Sequence, residues 1–438
     1  MSTQVAARRS TAAGSNKLDP ADQPVHGWYR FVLSYPPHLV REYLQRFGVE
    51  PGQQVLDPFC GTGTTLVECK RLAIEAVGVE ANPVAHFVAE VKVDWTPEPE
   101  RLLAHARAVA EGASEELAHQ GIEDIPLLRQ PGCEDGVLRG LPAEAAKLLL
   151  TDSISPLPLH KTLVLLDALE RLRDDRFYRH ERLALAAALP SAIGNLEFGP
   201  EVGVGARKPD APVIEAWLSR VCAMARDLGK VRDRAGVPCT VHLADAREAG
   251  ALLRPNSIDA VITSPPYPNE KDYTRITRLE GVLLGFLRDR ADLRAQKRQL
   301  VRSNTRGIYK GDSDDALVED HPEIQRIANL IEARRVELGK TSGFERLYPR
   351  VVKQYFGGMA RHLADLRPAL RPGAHLAYVV GDQASYLRVM IRTGQLLANI
   401  AESLGYELVS IDLFRTRLAT ATREQLREEA VVLRWPGG

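Results

Sequence analysis

Residues 55–65 have the sequence Val55-Leu-Asp-Pro-Phe-Cys-Gly61-Thr-Gly63-Thr-Thr65. The apolar start predicts a buried strand, and the two glycines predict a tight turn that opens into a helix near Thr64. The first N–H groups of such a helix can bind an anionic ligand. A second strand is predicted over residues 75–80, and it ends in the acidic Glu80, which could hold a ribose hydroxyl. The stretch therefore predicts a nucleotide-like cofactor on a Rossmann-type sheet.

The composition is that of an ordinary soluble globular protein, with 438 residues, 45% of them hydrophobic and 26% charged. Lys+Arg and Asp+Glu both total 57, so the net charge gives no sign of a polyanionic partner. A local basic groove is still compatible with a net charge of zero. The five cysteines have no CxxC spacing, which argues against a zinc site and favours reduced thiols. No apolar run is long enough to cross a bilayer. We expect a cytoplasmic protein with no metal and no membrane contact.

The hydrophobic pattern divides the chain into parts. Residues 1–22 are polar and predict a disordered tail. Residues 23–93 and 239–438 form the predicted α/β domain, with seven strands near residues 55, 77, 241, 260, 377, 410 and 432. No helix is predicted between the last two strands, so one of them should run antiparallel. Residues 94–238 are predicted as a mostly helical insertion between the second and third strands, and residues 268–350 as a long charged loop and helical region within the α/β domain.

Polar side chains recur where the first four predicted strands end. Asp57, Glu80, Asp245 and the segment Ser264-Pro-Pro-Tyr267 all fall at such ends. Ligands of open α/β sheets bind at the carboxyl ends of the strands, near the switch in strand order. Each of these residues alone fits a helix cap or a turn, but together they predict one pocket.

Two of these segments resemble a known family. Asp57-Pro-Phe-Cys-Gly-Thr-Gly-Thr-Thr65 is similar to the S-adenosylmethionine motif of the amino-methyltransferases, which methylate exocyclic amines of bases in DNA. Thr263-Ser-Pro-Pro-Tyr267 resembles their catalytic motif, (D/N/S)-P-P-(Y/F/W), and serine in its first position is similar to the cytosine-N4 enzymes rather than the adenine-N6 enzymes. The resemblance covers about residues 25–92 and 240–435. It implies a seven-stranded Rossmann-like methyltransferase sheet, S-adenosylmethionine as cofactor and double-stranded DNA as partner, with a restriction endonuclease of the same specificity as a further candidate partner.

The resemblance also implies roles on the cofactor side. Gly61 and Gly63 would pass close to the amino-acid moiety, Asp57 would lie beside the methionine ammonium, Glu80 would take the ribose hydroxyls, and Asp245 would accept from the adenine amine. For Glu80 a surface strand end is the alternative, and for Asp245 a helix cap. With the aromatic segment around residue 31, the candidate cofactor-binding residues are Phe31, Ser34, Asp57, Phe59, Gly61, Gly63, Thr64, Glu80, Asn82, Asp245 and Ala246.

The candidate catalytic residues are Ser264, Pro265, Pro266 and Tyr267. An exocyclic base amine is a poor nucleophile because its lone pair is delocalised, so it must pyramidalise and gain positive charge as it attacks a methyl group. The Ser264 hydroxyl and a backbone carbonyl of this segment can accept its N–H groups. The prolines fix φ and so set the direction of that carbonyl. Tyr267 offers a flat face on which an extruded base can stack.

Other functions fit the sequence less well. Adenine-N6 methylation, and then an RNA base, are the alternatives within the class. A nicotinamide-dependent oxidoreductase lacks the third glycine of G-x-G-x-x-G and leaves Ser-Pro-Pro-Tyr unexplained. An inactive binding module has no need of an intact catalytic motif. A cytosine-C5 enzyme needs a cysteine nucleophile after the fourth strand, whereas Pro238-Cys239 precedes the third.

DNA contact is predicted outside the cofactor fold, because the basic residues are bunched. The insertion at 94–238 is a candidate DNA-recognition region, and residues 268–350 are a candidate contact region. The candidate side chains are Arg207, Lys208, Arg302, Arg306 and Lys310. A charged, solvated loop is the alternative for each of them.

Overall fold

The structure is a computed structural model that describes residues 18–29, 34–125, 138–199, 201–418 and 425–437. Its strands are β1 Gln54–Asp57, β2 Glu75–Glu80, β3 Leu196–Phe198, β4 Val202–Val204, β5 Cys239–Leu243, β6 Ile258–Thr263, β7 Leu370–Gly381, β8 Glu407–Leu418 and β9 Gln425–Arg434. Its α-helices are α1 Gln23–His26, α2 Pro37–Arg46, α3 Thr64–Arg71, α4 Pro83–Lys92, α5 Pro99–His119, α6 Ala143–Ala146, α7 Pro156–Arg171, α8 Tyr178–Ala188, α9 Val213–Val231, α10 Tyr273–Ile276, α11 Arg278–Leu283, α12 Arg290–Gln299, α13 Pro322–Glu337, α14 Tyr348–Leu366 and α15 Thr393–Ser403.

Seven strands form one sheet in the order β5-β2-β1-β6-β7-β9-β8. The five strands from β5 to β7 are parallel, and β9 runs antiparallel between β7 and β8. The seven predicted strands and the antiparallel partner near the C-terminus are therefore confirmed. The strand order reverses between β1 and β6, which opens a crevice at their carboxyl ends.

The cofactor turn forms as its residues predict. Val55 and Leu56 of β1 are fully buried on opposite faces of the sheet, because successive side chains of a strand alternate. The chain then turns through Gly61 (φ 53°) and Gly63 (φ 84°), which both lie in the left-handed region that suits glycine. Helix α3 begins at Thr64, directly after the turn.

Both faces of the sheet are covered by helices. On one face, helices α5, α7, α8 and α9 share a hydrophobic cluster with Val55 and Ile262 of the sheet, and Trp217 of α9 is fully buried in that cluster. On the other face, α13, α14 and α15 pack against Leu56 and Val261. These four helices, which lie between β2 and β5 in the chain, thus belong to the same core as the sheet.

Two details of the structure were not predicted. The predicted insertion contains a short antiparallel hairpin, in which β3 pairs with β4 through Leu196 and Val204, although no strand alternation is evident there. The described part of the predicted tail is ordered, since Pro20–Asp22 forms a 3-10 turn and Asp22, only 6% exposed, accepts from Arg41 Nη1 (2.9 Å). Residues 1–17 lie outside the described residues. In the parts that are described, none of the helices is both long and apolar enough to cross a membrane.

Candidate active site

A cavity of about 340 Å³ lies at the carboxyl ends of β1, β2 and β6, where the strand order reverses. It brings together most of the predicted cofactor-binding residues and the whole predicted catalytic segment. The predicted residues that line it are Ser34, Phe59, Gly61, Thr64, Glu80, Asn82, Asp245, Ala246, Ser264, Pro265, Pro266 and Tyr267. Phe31 lies outside the described residues.

Glu80 and Gly61 lie together in the part of the cavity predicted to bind the cofactor, which we call the cofactor side. Glu80 Oε2 accepts from the N–H of Gly61 (2.9 Å), and Oε1 accepts from the N–H of Asn82 (2.7 Å). Burial raises the pKa of the Glu80 carboxyl to about 7, although these backbone donors favour the charged form. A side chain at Gly61 would meet no atom within 4 Å, so the backbone there is open to a ligand in the cavity. An open glycine backbone beside a carboxylate fits the amino-acid and ribose parts of S-adenosylmethionine.

The structure corrects the prediction for Asp57. Its side chain is fully buried and does not line the cavity. Its carboxylate accepts from the hydroxyls of Thr263 (2.6 Å) and Tyr35 (3.0 Å) and from the N–H of Phe59 (3.2 Å). Burial raises the pKa of Asp57 to about 6. Asp57 therefore ties the cofactor turn to the end of β6, one residue before Ser264, and positions both sides of the cavity.

Gly63 also differs from its prediction. It does not line the cavity, and a side chain there would lie 3.3 Å from Cα and Cβ of Ala89 in α4. This distance is tighter than ordinary van der Waals contact. A glycine is thus needed at position 63 because α4 approaches closely and because the backbone there has a positive φ. Of the two glycines, only Gly61 leaves its backbone open to a ligand.

Asp245 lines the cavity but has protein partners. Its Oδ1 accepts from the N–H of Arg247 (2.9 Å), which caps the 3-10 turn Ala246–Leu252, and its Oδ2 accepts from Arg247 Nη2 (2.6 Å). The helix-cap alternative therefore describes what is seen. The role of Asp245 as acceptor for an adenine amine stays a prediction.

The predicted catalytic segment, Ser264–Tyr267, begins directly after β6. Ser264 Oγ donates to the carbonyl of Val379 in β7 (3.0 Å), and both residues line the cavity. The N–H of Tyr267 donates to the hydroxyl of Tyr273 (3.0 Å). The Tyr267 ring packs against Gly381, where an added Cβ would lie 3.0 Å from its Cε2. Burial, and then the nearby Glu428, raise the pKa of Tyr267, so the ring stays neutral.

The far side of the cavity is formed by residues that sequence reasoning missed. They come from the segment after the catalytic motif, from the stretch around residue 300 and from the β8–β9 hairpin. They include Lys271, Asp272, Tyr273, Lys297, Asn304, Arg417 and Glu428. No local pattern marks these positions, because they reach the cavity only through tertiary packing.

Two of the candidate DNA contacts have other functions in the structure. Arg302 is 5% exposed, and its guanidinium donates to both carboxylate oxygens of Asp312 (2.9 and 3.0 Å) and to backbone carbonyls. Its guanidinium is therefore held by protein acceptors at the cavity lining, and its role as a phosphate contact stays a prediction. Lys208 Nζ donates to backbone carbonyls, among them that of Gly194 (2.8 Å). The three other candidates are exposed and stay predictions: Arg207, which pairs with Asp152, Arg306 and Lys310.

Comparison with known proteins finds similarity to a family of methylases. The family profile described as DNA methylase, of the N6/N4 type, matches residues 11–90, which include the glycine turn and β2. Over these residues the chain is similar to the N6/N4 DNA methylase family. The resemblance seen in the sequence is thereby confirmed, and the methylases of this family use S-adenosylmethionine as methyl donor.

Similarity to individual proteins extends over almost the whole chain. The Type II methyltransferase M.BsoBI of Geobacillus stearothermophilus is 26% identical over 94% of this chain and 84% of its own. The Type II methyltransferase M.AvaI of a Nostoc species is 23% identical over 94% of this chain and 87% of its own. These alignments reach beyond the two segments that carry the motifs. Among solved structures, the rRNA methyltransferase aviRa of Streptomyces viridochromogenes aligns over 97% of this chain and 96% of its own at 12% identity, with a TM-score of 0.36.

Proposed function

We propose that the protein is a Type II, site-specific DNA methyltransferase that methylates the exocyclic N4 amine of a cytosine extruded from double-stranded DNA. The Type II assignment is supported by two relatives of that name that align over 94% of the chain. The choice of cytosine is supported by Ser264 at the first position of the catalytic motif.

The observation that carries the proposal is the hydrogen bond of Ser264. Because Ser264 Oγ donates its proton to the carbonyl of Val379 (3.0 Å), its lone pairs remain available as acceptors in the cavity. An amine N–H of the target base can donate to them and is stabilised as positive charge develops on the nitrogen. A neutral serine is smaller than a carboxylate or carboxamide and leaves more room beside the amine. S-adenosylmethionine supplies the electrophilic methyl group when it is bound.

Tyr267 is proposed to hold the base in place. Its ring lines the cavity and is held by Gly381 on one side and by its own backbone bond to Tyr273. Stacking on an aromatic ring contributes about 1–3 kcal/mol per base, which is similar to the few kcal/mol that extrusion costs. A fixed ring therefore favours the extruded state without added ordering of the protein.

On the cofactor side, we propose binding through the predicted residues that line the cavity. They are Ser34, Phe59, Gly61, Thr64, Glu80, Asn82, Asp245 and Ala246. The contribution of Asp57 is to position Tyr35 and Thr263. The helices between β2 and β5, with the region 268–350, are the proposed DNA-recognition surfaces. A restriction endonuclease with the same target is the proposed functional partner, since Type II methyltransferases act in restriction–modification pairs.

The test is to identify the methylated base. The purified protein is incubated with methyl-labelled S-adenosylmethionine and unmethylated duplex DNA, and the digested nucleosides are resolved by mass. We expect labelled N4-methyl-2′-deoxycytidine from the wild type and almost none from Ser264→Ala. A dominant N6-methyladenine product would overturn the choice of base. Transfer to RNA with none to DNA would overturn the substrate class.

A further inference from the structure

The segment that follows the catalytic motif places one lysine in the cavity by an unusual backbone conformation. Glu270 has φ 63°, in the left-handed region that residues other than glycine rarely adopt. The carboxylate of Glu270 accepts from both the N–H (2.9 Å) and the hydroxyl (2.8 Å) of Thr305. Asn304 Nδ2 donates to the carbonyl of Lys271 (3.0 Å). These bonds hold the turn and so fix Lys271 in the cavity lining.

The ammonium of Lys271 has no partner in the described part of the chain, where no acceptor lies within hydrogen-bonding distance of its Nζ. Three carboxylates lie near Lys271, and the most exposed of them, Glu201, lies 3.9 Å from Arg275 Nη1 through its Oε2. Asp272 accepts from Lys297 Nζ (2.7 Å), and Glu428 accepts from Arg415 Nη2 (2.9 Å). Partial burial, and then the nearby Arg417, lower the pKa of Lys271. A half-buried cation without an acceptor is costly and is satisfied by an anionic ligand.

Arg417 provides a second cation on the same side. It lines the cavity from β8, its side chain is 45% exposed, and its only ion pair in the described residues is a distant one, with Nε 3.6 Å from Glu428 Oε1. Two neighbouring cations repel each other unless an anion lies between them. A base edge is neutral and does not compensate two positive charges, whereas a phosphate carries a full negative charge and is matched by two cations.

We propose that Lys271 and Arg417 bind a phosphate of the target strand, next to the extruded nucleotide. This proposal rests on the proposed function, because it takes the anion to be the DNA backbone and not the carboxylate of the cofactor. The β3–β4 hairpin lies on the same side of the cavity as these two cations. Glu201, the residue just before β4, places its Oε2 3.9 Å from Nη1 of Arg275. The target strand would then pass between the cavity mouth and this hairpin.

The test is the salt dependence of methyl transfer to unmethylated plasmid DNA. For Lys271→Met we expect kcat/KM to fall about tenfold, as for one lost charge-assisted contact. We expect the slope of log(kcat/KM) against log[KCl] to become shallower by about 0.9. Lys271→Arg keeps the charge and should restore both values. Arg417→Met, at a more exposed position, should show the same change of slope.

The matched control is Arg434→Met, at the end of β9, where the side chain is 45% exposed like that of Arg417 but lies outside the cavity lining and outside both proposed DNA-recognition regions. It should leave kcat/KM and the slope unchanged, and the affinity for S-adenosylmethionine should stay within twofold of the wild type in every variant. An unaltered slope in both Lys271→Met and Arg417→Met overturns the phosphate site. So does a loss of cofactor affinity that equals the loss of kcat/KM, or an arginine variant as impaired as the methionine variant. A wild type that methylates no DNA would instead overturn the proposed function, and this site with it.

Discussion

The two sides of the cavity are built in different ways. The cofactor side comes from β1, β2 and the turn between β1 and α3, and its central carboxylate, Glu80, is held by two backbone N–H groups. The target side comes from the catalytic segment, the stretch around residue 300 and the β8–β9 hairpin, and it is held largely by side-chain bonds such as those of Glu270. Backbone donors fix a ligand site within one short stretch of sequence, whereas side-chain bonds between distant segments allow the target side to vary independently of the cofactor side.

The largest effect is expected from a side chain on the cofactor side. Gly61→Val should weaken S-adenosylmethionine binding at least about 100-fold, because the new side chain enters the cavity. Gly48→Val is the matched control, since Gly48 also has positive φ (64°), also has no atom within 4 Å of an added Cβ, and does not line the cavity. Both variants should lose about 1–2 kcal/mol of stability, because valine is strained in the left-handed backbone conformation that these glycines adopt. Calorimetry with the cofactor and thermal unfolding measure the two effects. Equal cofactor affinity in the two variants would remove Gly61 from the site.

The sequence predicts the cofactor side of the molecule better than the target side. The seven strands and the glycine turn are encoded locally, by apolar runs that end in glycine or acidic residues, and they could be predicted. The burial of Asp57 could not, because its partners Tyr35 and Thr263 come from other segments. Arg302 looked like a free cation in a basic stretch, but tertiary packing directs its guanidinium onto Asp312. Charge bunching in a sequence therefore does not distinguish structural arginines from ligand contacts.

The next effect is expected on the target side and should leave the cofactor side intact. Tyr267→Ala removes the stacking face and should lower kcat/KM for DNA about 10- to 100-fold, since stacking contributes about 1–3 kcal/mol. Its affinity for S-adenosylmethionine should remain within twofold. Tyr267→Phe keeps the ring and should stay within about threefold of the wild type in turnover, given that stacking and not the hydroxyl is the main contribution. Parallel loss of cofactor binding and turnover in Tyr267→Ala would show that the two sides are not independent.

A smaller effect is expected from loss of the hydrogen bond between Tyr273 and the backbone of the catalytic segment. The hydroxyl of Tyr273 accepts the N–H of Tyr267, and its removal in Tyr273→Phe costs about 1 kcal/mol of positioning. We expect kcat to fall about fivefold with an unchanged cofactor Kd. Tyr406→Phe is the control, because its hydroxyl donates to Leu363 (2.7 Å) outside the cavity lining. That variant should lose stability but keep its kcat. If both variants lose kcat equally, the effect of Tyr273 is one of general stability.

The smallest effect is a pH dependence confined to the cofactor side. Burial raises the pKa of Glu80 to about 7, and the ionised carboxylate is the better acceptor for ribose hydroxyls. With that pKa, about nine tenths of Glu80 is ionised at pH 8 and about one quarter at pH 6.5, so the cofactor affinity should fall about fourfold between them.

The ionisation of Glu80 affects the stability of the folded protein in the opposite direction to its effect on cofactor affinity. Because the pKa of Glu80 in the folded protein lies above the ordinary value of 4.5, its contribution to stability is fully present below pH 4.5 and is lost as the pH rises through about 7. The free protein should thus gain stability from this group at the lower pH at which it binds the cofactor less tightly. Calorimetry and thermal unfolding at pH 6.5 and 8 separate the two trends. Glu80→Gln should abolish both, and a fourfold change that persists in Glu80→Gln would assign the titration to another group, such as Asp57 with its pKa of about 6.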